Sequence, residues 1–370
     1  MIVVIALIVY GSLYPWHFHL GEGVSNPFTA LWNSWTGRLN RGWKVDALVN
    51  FLLYFPVGAC AFLALAKSKG KLVAAVCGVG IGLLLSFSVE IGQYFAESRN
   101  SNLLDVIANT AGAAAGVAFG AVFSRYSSRS RTSVDTSAAL VLACWLASLL
   151  FPLWPVTRLQ TVGIKVLTML RSSPLQTVAL ASAFASWYVA GFLLLRAGAR
   201  RPERWLALLL MIIPAQLLIV MRQPSLAHLL GGATGAVAFT LSKRWRLVPA
   251  FVFLAAVLLQ GFSPFRWQPH PGDFAWLPFQ ALLESQWQNA ILVLLDKTFY
   301  AAAAIWVLTY AGLRLNMATT IAASLLLLIE IGQTMLPGRT PEITDPILAA
   351  LIGISIDAFR RTSTPSGTSA

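Results

Sequence analysis

Charged residues are scarce in this chain, and their scarcity excludes most soluble folds. Asp, Glu, Lys and Arg together make up 11% of the 370 residues, whereas hydrophobic residues make up 57% and the mean hydropathy is +0.70. A typical soluble domain contains about 25% charged residues. The composition therefore predicts an integral membrane protein.

Cysteine and recognisable catalytic motifs are also sparse. Cys60, Cys77 and Cys144 all lie in apolar runs and lack the spacing of metal ligands. The sequence contains no nucleophile motif and no phosphate-binding loop. We therefore expect no metal site and no cofactor. The net charge of +13 is spread over many short loops, which predicts membrane topology and not nucleic-acid binding.

Long apolar runs, in contrast, recur along the whole chain. A helix needs roughly 20 apolar residues to cross the hydrocarbon core of a bilayer. The runs predict an all-α fold, a polytopic transmembrane helix bundle of about 12 helices. They cover approximately residues 2–16, 45–66, 72–95, 103–123, 136–154, 174–195, 204–221, 225–242, 247–263, 290–312, 317–336 and 343–359. For the short runs 2–16 and 225–242, a half-inserted segment is the alternative.

The basic residues indicate the orientation of this bundle. Sixteen of the 27 Lys and Arg residues lie in the connections after every second predicted span or in the C-terminal tail, and ten lie on the opposite side. Basic residues near helix ends are retained on the cytoplasmic side. This positive-inside pattern predicts that both termini are cytoplasmic.

One polar stretch recurs along the chain. Residues 88–112, SVEIGQYFAESRNSNLLDVIANTAG, align without a gap with LIEIGQTMLPGRTPEITDPILAALI at an offset of 240. At an offset of 123, Gln216 and Arg222 persist, but Ile213 and His228 replace the acids, so we expect this copy to tolerate substitution. The internal repeat predicts three tandem four-helix units, residues 1–130, 131–246 and 247–370, of which the middle one is degenerate.

The polar residues of this stretch are predicted to meet near the outer membrane surface. Glu90 and Gln93 end one span at i, i+3 spacing, Asp105 and Asn109 begin the next at i, i+4 spacing, and Arg99 lies between. Buried charges in membranes usually mark functional sites. The predicted ligand-binding residues are Asp46, Asn50, Glu90, Gln93, Arg99, Asp105, Asn109, Asp296, Lys297, Glu330, Gln333, Arg339 and Asp345.

Three alternatives remain open at these positions. The Glu, Arg and Asp side chains are also able to staple a helical hairpin, with Asp105 as an N-terminal cap. Lys297 either neutralises Asp296, Glu330 or Asp345, or binds an anionic head group. The ridge Gly112, Gly116 and Gly120 allows close helix packing within a unit or forms a homo-oligomer interface.

The segment from Asp46 to Gly120 resembles the VanZ-like family of bacterial membrane proteins. The resemblance is carried by DALVNFLLYFPVGA, SVEIGQYF and SRNSNLLDVIANTAGAAAG, whereas residues 296–360 fit less fully and the middle unit least. The matching positions are Asp46, Asn50, Pro56, Gly58, Glu90, Gln93, Arg99, Asp105, Asn109 and Gly112. The resemblance implies a protein of the bacterial cytoplasmic (inner) membrane with a role in the cell envelope. The family takes its name from a glycopeptide-resistance accessory protein that lowers sensitivity to teicoplanin.

The sequence leaves two main functions open. The first is binding, and possible handling or transport, of an envelope lipid, a lipid-linked precursor or a glycopeptide-related ligand at the extracytoplasmic face, where aromatic, amphipathic loops flank the polar residues. The alternative is a membrane-embedded hydrolase or transferase in which Glu90 and Asp105 act as general acid and base. A purely structural or scaffold role is the third reading. The lack of a nucleophile motif favours binding over catalysis.

Overall fold

The computed structural model describes residues 1–19, 26–36, 43–97, 99–129, 135–173 and 176–363. In these ranges all regular elements are helices, and extended backbone pairs only in isolated bridges. The chain divides into two compact units, Met1–Arg131 and Thr132–Ala370. The predicted fold class, a polytopic all-α bundle, is confirmed.

The first unit is built around three long helices that all contact one another. Its helices are α1 (Ile2–Ser12), α2 (Pro27–Asn33), α3 (Trp43–Lys69), α4 (Lys71–Tyr94) and α5 (Leu103–Arg129). Helices α3, α4 and α5 pack pairwise, and α1 packs against α3 and α4. The cluster Ile8, Tyr54 and Val57 is almost completely buried where α1 meets α3.

Glycines set the distance between α3 and α5. A Cβ atom on Gly112 would lie 2.0 Å from the carbonyl oxygen of Phe51, and one on Gly116 would lie 2.0 Å from that of Phe55. The backbones are therefore in direct contact, as small residues allow in membrane helices. The predicted glycine ridge is used for packing inside the first unit, and its use in a homo-oligomer stays a prediction.

The second unit contains the remaining helices. They are α6 (Thr136–Leu150), α7 (Leu159–Arg171), α8 (Thr177–Arg196), α9 (Pro202–Leu209), α10 (Ile212–Ala215), α11 (Leu226–Ser242), α12 (Val248–Phe262), α13 (Gln280–Leu283), α14 (Trp287–Tyr310), α15 (Leu315–Gln333) and α16 (Thr344–Ser363). One core joins α6, α8, α12, α14 and α15, with Trp145, Phe192, Phe253 and Phe299 buried inside it. The predicted segments 131–246 and 247–370 thus fold around a shared core, and their division into two repeats stays a prediction.

Six described helices are long and apolar enough to cross a membrane: α3, α4, α5, α8, α14 and α15. Helices α1, α6, α11 and α12 are apolar but shorter. The predicted span 204–221 is not continuous, because α9 ends at Leu209 and α10 begins at Ile212. Pro214 lacks the N–H group that would bond to the carbonyl of Leu210, and its ring crowds that carbonyl.

Three further helices lie in the predicted outer loops. These are α2, α7 and α13, which follow α1, α6 and α12, respectively. Phe28, Trp32 and Trp35 in and just after α2 are exposed. Exposed aromatic side chains of this kind are typical of the membrane interface, and the position of these helices on the membrane surface stays a prediction.

Candidate functional site

Glu90 holds the loop that joins α4 to α5. The carboxylate is 2% exposed, and its Oε2 atom accepts a hydrogen bond of 2.7 Å from the backbone N–H of Asn102. The Asn102 side chain in turn accepts from the backbone N–H of Leu104, at 3.0 Å. Asn102 is therefore the N-terminal cap of α5, which leaves Asp105 one turn further along without that task.

The other predicted polar groups of the first unit gather around Asp105. Asn50 and Asp46 on α3 lie close to the Asp105 carboxylate. Asn109, which is 3% exposed, donates from Nδ2 to the Ser86 hydroxyl at 2.9 Å, and its buried Oδ1 atom has no partner among the described residues. The structure thus brings the predicted residues of three helices together.

Gln93 and Arg99 bind backbone at the end of α1. Gln93 Nε2 donates to the carbonyl of Ser12 at 2.8 Å, and Arg99 donates from Nε to Tyr14 at 3.1 Å and from Nη2 to Gly11 at 3.5 Å. The last carbonyls of a helix have no partners within the helix and carry partial negative charge. Both side chains therefore stabilise this helix end.

The second unit repeats these contacts at α12, α15 and α16. Glu330, 4% exposed, accepts from the backbone N–H of Glu342 at 2.8 Å, and Gln333 donates to the carbonyl of Gly261 at 3.1 Å. Arg339 donates to Ser263 from Nε at 2.9 Å and from Nη2 at 2.7 Å, and also to Gln260 at 2.8 Å.

The same arrangement is present in the middle segment, although its acids are lost. Gln216 donates to Leu149 at 2.8 Å, and Arg222 donates to Phe151 at 3.0 Å and to Ser148. The Lys165 ammonium holds the loop at Arg222 by donating to three backbone carbonyls, those of Ile219 (2.5 Å), Val220 (3.1 Å) and Arg222 (2.7 Å). Burial lowers the pKa of Lys165, because the charged form loses hydration. The expectation that Gln216, Arg222 and His228 tolerate substitution stays a prediction, although the first two make the same contacts as their counterparts in the other copies.

Lys297 forms ion pairs with two carboxylates. Its Nζ atom lies 2.9 Å from Oε1 of Glu342 and also contacts Asp345. Its neighbour Asp296 instead faces the Arg222 guanidinium and the Ser148 hydroxyl. Of the two predicted roles of Lys297, the structure shows the neutralising one, with Asp345 as an expected partner and Glu342 as a partner that sequence reasoning missed.

These side chains surround a cavity of about 790 Å³ within the second unit. All six predicted residues of this unit line it: Asp296, Lys297, Glu330, Gln333, Arg339 and Asp345. The middle segment adds Gln216, Arg222 and His228, and the His228 ring is held by the Ser225 hydroxyl at 2.7 Å. A volume of this size lies in the range of small-molecule sites.

Several lining residues gave no signal in the sequence. Ser148, Asn289 and Glu342 line the cavity together with the aromatic side chains of Trp145 and Trp187. Asn289 and Asp296 lie on one face of α14, because seven residues make about two turns. The seven-residue spacing is visible in the sequence, but the sequence does not indicate which helices pack against this face of α14.

The first part of the chain matches a known protein family. Residues 1–124 match the model of the VanZ/LLP1 family. Neither the comparison with curated proteins nor that with solved structures found a match. The matched range includes Asp46, Glu90, Gln93, Arg99 and Asp105, whose contacts are described above. This segment is thus similar to the VanZ/LLP1 family, and the long apolar helices are those of a multi-pass membrane protein.

Proposed function

We propose that this protein binds the head group of an envelope amphiphile, such as an envelope lipid, a lipid-linked precursor or a glycopeptide-related ligand, in the cavity of the second unit. The observation that supports the proposal is the polar lining of a space of about 790 Å³ between largely apolar helices. Polar groups within membrane proteins are costly and usually serve a site. The handling or transport of the ligand is a further step of the same proposal.

The lining favours a head group rich in hydroxyls. Arg222 and Arg339 donate to backbone carbonyls, and Lys297 is paired with two acids, so the cations of the cavity are already engaged. Asp296 and Asn289 present carboxylate and amide oxygens, which accept hydrogen bonds from hydroxyls. Trp145 and Trp187 add large apolar faces, as in many ligand pockets.

We place the site at the extracytoplasmic face of a bacterial inner membrane, with both termini in the cytoplasm. The unequal distribution of Lys and Arg between the two sets of connections supports this orientation.

We also infer that the chain arose by triplication. The support is the matching pairs Gln93–Ser12, Gln216–Leu149 and Gln333–Gly261. The arginines of the three copies also match. Each donates to a carbonyl two residues after the one that the glutamine contacts: Arg99 to Tyr14, Arg222 to Phe151 and Arg339 to Ser263.

The sequence also suggested a structural role and a catalytic role. The hydrogen bonds of Glu90, Gln93 and Arg99 to backbone support a structural role for these three residues. Catalysis by Glu90 and Asp105 stays a prediction, and association with glycopeptide resistance stays an implication of the family.

Native mass spectrometry of the purified protein tests the proposal. We expect a defined hydroxyl-bearing lipid to co-purify with the wild type and to be lost from the variant Asp296→Asn/Asn289→Ala. Glu203→Gln is the matched control, because it also removes one carboxylate charge but lies outside the cavity, on α9, where Glu203 pairs with Lys243. Equal, unselective lipid in all three folded proteins would contradict the proposal.

The variant Glu90→Gln/Asp105→Asn locates the binding site. If the proposal is correct, this variant retains the lipid, because both substitutions lie in the first unit. Loss of the lipid from this variant alone would move the site to the first unit.

A further inference from the structure

A second hollow adjoins the polar cavity. Its volume is about 770 Å³, and it lies between the first turn of α8 and the residues that follow α12. Four residues line both spaces: Ser182, His228, Gln260 and Tyr300. The two spaces therefore share a wall and lie side by side within the second unit.

The two spaces differ in chemistry. Away from the shared wall, the apolar residues Val178 and Ala179 on α8 and Pro264 and Phe265 after α12 line the second hollow, together with the uncharged polar residues Gln176, Thr177 and Ser263. Thr177 and Phe265 are exposed, so the hollow opens at these helix ends. The polar cavity, in contrast, has acids, amides and arginines in its wall. The charged side chains thus lie in one space and the uncharged lining in the other, which matches the two ends of an amphiphile.

A hydrogen bond joins two helices in the shared wall. Ser182 Oγ on α8 donates to Oε1 of Gln260 on α12 at 3.1 Å. The Tyr300 hydroxyl on α14 lies near Ser182, Ser186 and Gln260.

We propose that the second hollow holds the hydrocarbon chain of the amphiphile whose head group occupies the polar cavity. The inference rests on the proposed function and specifies its ligand class, a molecule with a hydroxyl-rich head joined to an apolar chain. Its main support is that a space without acids, lysines or arginines in its lining adjoins the charged cavity along Ser182, Gln260 and Tyr300. The chain enters between the start of α8 and the end of α12.

The probes for the test are glucose and n-alkyl glucosides of increasing chain length, added below micelle-forming concentrations to the protein in nanodiscs. For the wild type we expect the affinity to rise roughly fourfold for each buried methylene. The variant Ala179→Trp fills the hollow and is expected to remove this dependence on chain length while leaving glucose binding unchanged. Leu195→Trp is the matched control, since it also adds an indole to α8 but at an exposed position far from the hollow.

A second variant, Thr177→Trp, narrows the exposed opening and covers the case in which Ala179→Trp does not fold. A gain with chain length that persists in the folded tryptophan variants of the hollow would overturn the inference. If the wild type binds glucose but gains nothing from a chain, the inference fails while the head-group proposal survives. If the wild type binds neither glucose nor any glucoside, both fail.

Discussion

The Oε2 atom of Glu330 accepts a hydrogen bond from the backbone N–H of Glu342 at 2.8 Å, across the turn that joins α15 to α16. Glu90 and Asn102 form the same contact, with the same separation of twelve residues along the chain. A buried N–H group without a partner costs free energy. Glu90 and Glu330 thus stabilise the turns of two helical hairpins through the same hydrogen bond.

Removal of the Glu330 side chain is expected to destabilise the second unit. Glu330→Ala leaves the Glu342 N–H unpartnered, and we expect the free energy of unfolding to fall by about 1–3 kcal/mol. Glu330→Gln keeps an oxygen that accepts the same hydrogen bond and serves as the control. Thermal unfolding in detergent measures the difference. Equal stability of the Ala and Gln variants would show that the hydrogen bond does not stabilise the hairpin.

The arginines that bind helix ends are expected to differ in importance. Arg339 is partly buried and makes three hydrogen bonds of 2.7–2.9 Å, whereas Arg99 is exposed and its bonds measure 3.1 and 3.5 Å. We expect Arg339→Ala to lower the free energy of unfolding by about 2 kcal/mol, and Arg99→Ala to lower it by clearly less. The fraction of folded protein after heating distinguishes the two. A larger loss of stability in Arg99→Ala than in Arg339→Ala would contradict the expected order of importance.

Lys297 is expected to be coupled to Glu342. Lys297→Met leaves two acids of low exposure without their cation and is expected to cost about 3 kcal/mol, because an unpaired buried charge is more costly than a missing pair. The double variant Lys297→Met/Glu342→Gln should be more stable than the sum of the two single effects predicts. A double-mutant cycle from unfolding data measures this coupling, and strictly additive effects would be the contrary result.

The close packing of α3 against α5 leaves no room for a methyl group at Gly112. Gly112→Ala places its Cβ atom 2.0 Å from the Phe51 carbonyl oxygen, so α3 and α5 must separate and the first unit should unfold at a markedly lower temperature. Gly80→Ala is the matched control, since nothing lies within 4 Å of its Cβ position on α4. That substitution is expected to be neutral or stabilising by up to about 1 kcal/mol. Similar unfolding temperatures for both variants would rule out the close contact.

The offset of 240 residues between Glu90 and Glu330 indicated from the sequence that both residues do the same task, but the task itself depended on distant backbone. Arg339 binds the carbonyl of Ser263, which lies 76 residues away in the chain. Every residue has a carbonyl group, so no side-chain pattern indicates which one an arginine reaches. The partner of Lys297 was hidden for a related reason, since Glu342 lies in a turn whose path is set by the packing of α15 and α16.

The sequence by itself determined that this is a helical membrane protein, where most of its long helices lie and which polar residues recur. These properties follow from local composition, because a bilayer requires about 20 apolar residues for each crossing helix and tolerates few charges there. Only the tertiary structure decided that the polar residues of the middle and last segments line one cavity of about 790 Å³, with a second hollow beside it. A cavity is the space left between helices distant in the chain, and its shape depends on how their side chains pack.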